Sequence, residues 1–113
     1  MAVVMAMEWA GATLEEYDRV MDALQLDAQA PTGGIFHVCG AEGGTLRIFD
    51  VWESEEAWND FRDNRLMPAL EQTGLVEKGQ PDVKVYPVHN AYLPDASALT
   101  RVAGSSSLAG TPA

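Results

Sequence analysis

Between Pro31 and Trp58 the chain writes a β-hairpin and passes it directly to a helix. Gly33-Gly34-Ile35-Phe36-His37-Val38-Cys39 leads into a Gly-Ala-Glu-Gly-Gly reversal over 40–44, then Thr45-Leu46-Arg47-Ile48-Phe49-Asp50-Val51-Trp52 and Glu53-Ser54-Glu55-Glu56-Ala57-Trp58. The glycines of the reversal supply the positive φ that a tight turn needs. Ser54 caps the helix that follows, with Glu55 and Glu56 in its first turn, where the helix dipole favours negative charge. One of the two histidines, the single cysteine and two of the three tryptophans fall in this stretch. Any chemistry is expected to line up along it.

The flanking segments complete the order. Ala2 to Glu8 is apolar and strand-like. Thr13-Leu14-Glu15-Glu16 has the form of a capping box opening a helix, whose apolar stripe is Leu14, Tyr17, Val20, Met21 and Leu24. A Pro/Gly connection over 27–34 precedes the hairpin. Trp58 and Phe61 give the second helix an inner face, Pro68 predicts a kink or restart near Met67, and Gly74 ends the element. Val83 to Val88 is the last strand. The sum is α+β, a ferredoxin-like β-α-β-β-α-β arrangement with an antiparallel sheet and both helices on one face. Residues 1–93 read as one domain. Residues 94–113, rich in Ser, Ala and Gly, read as a flexible tail.

Apolar residues occupy both parities of the hairpin: Phe36, Val38, Phe49 and Val51 on one, Ile35, Cys39, Leu46, Ile48 and Trp52 on the other. Helices for only one of two apolar faces predict a homodimer packed sheet on sheet. Seventeen acidic against seven basic residues give a formal charge of −10, which repels phosphate backbones and argues against nucleic acid. The lone cysteine and the absence of metal-ligand spacing suit a reducing cytoplasm with no metal site. The apolar opening over 1–7 is too short to cross a bilayer, so no membrane association is expected.

In Gly34-Ile35-Phe36-His37-Val38, in 46–58, in Arg65-Leu66-Met67-Pro68-Ala69-Leu70 and in Val85-Tyr86-Pro87-Val88-His89-Asn90, the chain resembles the dimeric α/β-barrel proteins. Within them it is similar to the antibiotic-biosynthesis-monooxygenase-like group of small actinobacterial proteins, over about 2–92. The resemblance implies the dimeric α/β barrel and a ligand cavity between helices and sheet. The same barrel hosts cofactor-free oxygenases of polyketide anthrones and quinols, polyketide cyclases, haem-binding and haem-degrading enzymes, muconolactone isomerases and proteins of unknown role, so the reaction stays open.

His37, His89 and Tyr86 are the candidate catalytic residues. Histidine as a type titrates near neutrality and can take a phenolic or α-carbonyl proton, and a phenol can hydrogen-bond a substrate oxygen. Each also has a plain structural explanation: a satisfied core histidine, a solvated edge histidine and a packed tyrosine. Pairing Gly40 with Thr45 sets Ile48 opposite His37 and leaves Asp50 one diagonal away on the same face. A register displaced by one residue through a glycine bulge instead brings Arg47 and Phe49 beside His37 and turns Asp50 away. Trp58, Phe61 and Trp52, with Trp9, suit the wall of a pocket for a small aromatic ligand, or else are core. Asn64 and Asn59 are weaker candidate donors. Arg47 and Arg65 fit a carboxylate clamp or ordinary ion pairs, and Cys39 a small buried hydrophobe.

The preferred function is a cofactor-independent monooxygenase or cyclase acting on an aromatic or polyketide-like molecule through a histidine base. Deprotonated hydroquinones and anthrones can pass an electron directly to O2, so no cofactor is called for. The alternatives are a haem protein with His37 or His89 as ligand and a non-catalytic ligand-binding dimer.

Overall fold

The computed structural model describes residues 1–101, with the side chains of Thr100 and Arg101 excepted. Strand β1 (Val3–Ala10) leads to helix α1 (Leu14–Leu24), the hairpin β2 (Gly34–Glu42) and β3 (Thr45–Trp52), helix α2 (Glu55–Phe61), a π-helical turn (Arg62–Leu66), helix α3 (Met67–Thr73), a 3-10 turn (Leu75–Lys78) and strand β4 (Asp82–Pro87). The strands form one antiparallel sheet in the order β2-β3-β1-β4. This is the ferredoxin-like α+β arrangement expected. A 3-10 segment, Ala96–Arg101, lies in the expected tail, and residues 102–113 of that tail fall outside the described residues.

Local chemistry explains the boundaries. The Thr13 hydroxyl accepts from the Glu16 N–H at 3.1 Å while the Glu16 carboxylate accepts from the Thr13 N–H at 2.9 Å, closing the capping box that opens α1. Leu14, expected in the apolar stripe of that helix, is instead 53% exposed. Ser54 accepts from the Ala57 N–H at 3.0 Å and opens α2. The restart expected near Met67 takes the form of the π turn. Its wider coil accommodates Pro68, which has no N–H to give and whose ring would collide with a regular-helix carbonyl four residues back. Gly74, at φ 82°, stops α3 in the left-handed conformation that glycine adopts without strain.

The hairpin is tighter than either expected register. Glu42 pairs with Thr45, so Gly43 and Gly44 alone make the turn, at φ 59° and 79°, the double positive φ of a type I′ reversal. Strand β2 therefore runs two residues further, and His37 faces Asp50 directly. A bulge does occur, but at Ile35, between the pairs Gly34–Trp52 and Phe36–Val51, and it leaves the pairing beyond it undisturbed.

Strand alternation then sorts the sheet into two faces. Val3, Met5, Met7 and Trp9 of β1 and Leu46, Ile48, Asp50 and Trp52 of β3 are all buried under the helices with Val20, Leu24, Trp58, Ala69, Leu70 and Leu75. On the opposite face Val38, Phe49 and Tyr86 are 46%, 50% and 44% exposed, and Val4, Phe36 and Val51 are half-buried beside them.

Candidate active site

One charged residue interrupts the buried face. Asp50 stands among Leu46, Ile48 and Trp52 on β3, opposite Met5 of β1 and His37 of β2, and it is 5% exposed. A carboxylate taken from water to such a position costs several kcal/mol unless its oxygens are bonded. Both are. Oδ1 lies 2.6 Å from His37 Nδ1, and Oδ2 accepts from the Trp52 indole N–H at 3.1 Å.

The second nitrogen of His37 completes a chain. Nε2 lies 2.5 Å from the Tyr17 hydroxyl, which reaches down from α1, and the two rings are parallel to within 3°. An ionised Asp50 accepts only, so it takes the Nδ1 proton and leaves Nε2 as acceptor for the Tyr17 O–H. Burial, reinforced by the nearby charges of Cys39 and Asp50, pushes the Tyr17 phenol above its ordinary value of 10.0 and keeps it a donor at neutral pH. Burial also pushes the Cys39 thiol, one residue pair along on the same face, up to about 11. Asp18 and Asp50 act in the same direction and the Tyr17 phenol against it. Cys39, expected to be a small buried hydrophobe, is half-buried, and a thiol raised in this way is a poor nucleophile at neutral pH.

This chain of groups forms part of the wall of a cavity of about 340 Å³ between sheet and helices. The size lies within the roughly 300–1,000 Å³ usual for small-molecule sites. Met5, Met7 and Ile48 pave the sheet side, Val20, Met21 and Leu24 of α1 and Leu70 of α3 roof it, and Ile35 and Pro31 lie at one margin. Trp52, Trp58 and Phe61 pack as a trio, with ring centroids 5.1–6.4 Å apart, and all three line the cavity. Gly33 packs the connection before β2 onto α2: a Cβ added there would stand 2.7 Å from the Ala57 Cβ, at φ 81°. Only glycine fits.

The fold thus gathers His37, Asp50, Trp52, Trp58 and Phe61 around one cavity and separates the other expected residues from it. Tyr86 pairs with Val4, out of phase with Val85, which packs against the core, so strand alternation carries its side chain to the open face. His89, expected as a candidate catalytic residue, is exposed beyond the end of β4 and is not among the lining residues. Asn64 belongs to the π turn and faces a separate shallow groove with Thr32, Ser54, Asp60 and Arg65. Asn59 accepts from Arg62 at 3.1 Å. Of the two arginines, Arg47 makes an ordinary ion pair with Glu8 at 3.1 Å and Arg65 donates to the Leu24 carbonyl at 2.8 Å. Tyr17, which the sequence pattern places only in an apolar stripe, is the candidate site residue that pattern misses. Its signal is the phenolic tip, which requires a partner wherever a tyrosine lies on a buried helix face. Among the described residues no cluster of three or more His, Cys, Asp or Glu is placed to hold a metal ion, and no helix is long and apolar enough to cross a membrane.

No family model matches the chain, and no curated protein sequence matches it significantly. Solved structures do. A mutant of SnoaB, a cofactor-independent oxygenase from Streptomyces nogalater, superposes with a TM-score of 0.61 at 14% identity, covering 83% of this chain and 98% of that one. A monooxygenase from the gene ActVA-Orf6 of Streptomyces coelicolor, in complex with the ligand nanaomycin D, gives 0.58 at 16% identity over 83% and 93%. A dimeric ferredoxin-like protein of unknown function from Thermobifida fusca gives 0.56 at 13% identity over 78% and 92%. At these identities the likeness establishes the fold, shared by monooxygenases and by proteins of unknown function alike.

Proposed function

We propose that the protein is a cofactor-independent enzyme that deprotonates a planar aromatic or polyketide-like substrate within the covered cavity, and that O2 then oxidises the resulting anion. The observation that carries this reading is the chain Tyr17–His37–Asp50–Trp52 on the wall of an otherwise apolar cavity. Trp52 and His37 hold the Asp50 carboxylate, which fixes the His37 tautomer so that Nε2 is the basic atom. As the substrate gives its proton to the Tyr17 oxygen, the Tyr17 proton passes to Nε2, and the imidazolium formed lies against the carboxylate that neutralises it. The apolar walls limit the water that reaches the substrate anion. For an anthrone, O2 then supplies one oxygen to the ring carbon and leaves as water, giving the anthraquinone.

The likeness to two oxygenase structures supports the reaction class, without fixing the substrate. Haem ligation is the weaker reading, since both nitrogens of His37 are engaged and His89 stands away from the cavity. The active form is proposed as a homodimer joined through the open sheet face, where Phe49, Val38 and Tyr86 otherwise meet water. The dimeric neighbour supports this assembly. The test is aerobic turnover of anthrone. Wild type should form anthraquinone with matching O2 uptake, and His37→Ala should fall to the uncatalysed rate. Equal rates for the two would end the proposal.

A further inference from the structure

We infer that the cavity opens to solvent past the start of β2, at Ile35, and that its ligand is a one-ended amphiphile: the group that gives up the proton lies at this mouth and an apolar end fills the interior. The inference rests on the small-molecule site proposed above and adds the direction in which that site is filled.

Exposure along the cavity wall locates the mouth. The exposed lining residues are Ala30, Gly34, Ile35 and His37, all in the last part of the α1–β2 connection or the first part of β2. Away from them, none of Val20, Leu24, Leu46, Leu70 and Leu75 is more than 5% exposed. One end of the cavity is open and the other is closed.

Two adjacent residues shape the open end. A Cβ added at Gly34 would stand 3.1 Å from Pro31 Cγ and 3.4 Å from Trp52 Cζ3, so a side chain there would fill the gap between the connection and the aromatic trio. Ile35 is the extra residue of the β-bulge, a device that re-aims a side chain near a strand end. It lines an apolar cavity and is still 57% exposed, which makes it the rim, on an edge strand of the sheet.

The acid–base chemistry belongs to the same end. His37 follows Ile35 by two residues and its side chain is 38% exposed, while Asp50 is buried behind it. The closed end offers Leu46, Leu70 and Leu75, whose side chains neither donate nor accept a hydrogen bond. A polar group carried there loses its water and gains no side-chain partner, whereas one carried beside the reacting group stays within reach of solvent. Ligands are therefore sorted by the position of their polar groups, and those with every polar group at the proton-bearing end are accepted.

Three phenols test the direction: para-butylphenol, its derivative with a hydroxymethyl group on the ring beside the phenol, and the isomer of that derivative with the hydroxymethyl group at the end of the chain. Calorimetric titration of the wild-type protein should give the ring derivative an affinity within about threefold of the parent, and the chain derivative one at least about tenfold weaker, the cost of a hydroxyl buried without a partner. Nuclear Overhauser contacts of the bound parent should join its ring protons to the Ile35 methyl groups and its chain methyl to Leu70 and Leu75. Equal affinities for the two isomers, the reverse order, or a chain methyl lying against Ile35 would overturn the direction of filling while leaving the proposed function standing. If the parent phenol does not bind, the small-molecule site itself falls, and the direction with it.

Discussion

The two faces of the sheet share the same strands and differ in almost everything else. Beneath the helices, Asp50 is buried with both oxygens bonded, and His37, Tyr17 and Trp52 are tied to it in one chain. On the open face, Phe49 and Val38 lie about half exposed with no helix over them. A period of two residues puts neighbours in sequence on opposite faces, so Phe49 and Asp50 serve different ends. The covered face is where a polar group is expensive and therefore informative. The open face is where an apolar group is expensive, and it points to a partner.

Substitutions on the two faces should separate these roles. The largest effect is expected from Asp50→Asn. Trp52 still requires an oxygen, so the amide nitrogen turns toward His37, which must then accept at Nδ1 and carry its proton on Nε2. With the base blocked, turnover should fall by about 10³–10⁴-fold, measured as anthraquinone formation, while the thermal midpoint moves little. On the open face, Phe49→Asp should weaken self-association by on the order of 100-fold through a charge set in an apolar interface. Analytical ultracentrifugation would report this as a shift toward monomer.

Cys39 probes the covered face from beside the acid–base chain, next to the Tyr17 phenol. With its thiol raised from 9.0 to about 11, alkylation at pH 8 should run on the order of 100-fold slower in the folded protein than in urea. The sign for stability follows. Below pH 9 the thiol is protonated in both states and nothing is lost. Between about pH 9 and 11 the unfolded chain ionises more readily, so stability falls as pH rises, in the same direction as for the raised Tyr17 phenol. The smallest effect belongs to Tyr86→Phe, which should leave turnover within about twofold because its side chain lies on the open face.

Much of this division is legible in the sequence, because period-two alternation from Phe36 to Trp52 assigns faces without coordinates. Caps at Thr13 and Ser54, the break at Pro68 and the stop at Gly74 are equally readable, each being a local property of one or a few residues. The partner of His37 is not. It depends on whether four residues or two make the hairpin turn, and glycines at 40, 43 and 44 permit both. Tyr17 is hidden for a different reason: its hydroxyl meets a residue twenty positions away across the helix–sheet interface, and no local pattern encodes that meeting. Tyr86 and His89 are candidates by residue type alone, whereas β4 is an edge strand that alternates Tyr86 outward and ends before His89.

The most direct test follows the proton rather than the product. Anthrone carries acidic methylene hydrogens, and their exchange with deuterated water can be timed by NMR without O2. Wild-type protein should accelerate that exchange by at least about 10²-fold over buffer, and His37→Ala should abolish the acceleration while binding the ligand. Exchange at the buffer rate in wild type, or undiminished exchange in His37→Ala, would contradict a proton-abstracting role for the Tyr17–His37–Asp50 chain.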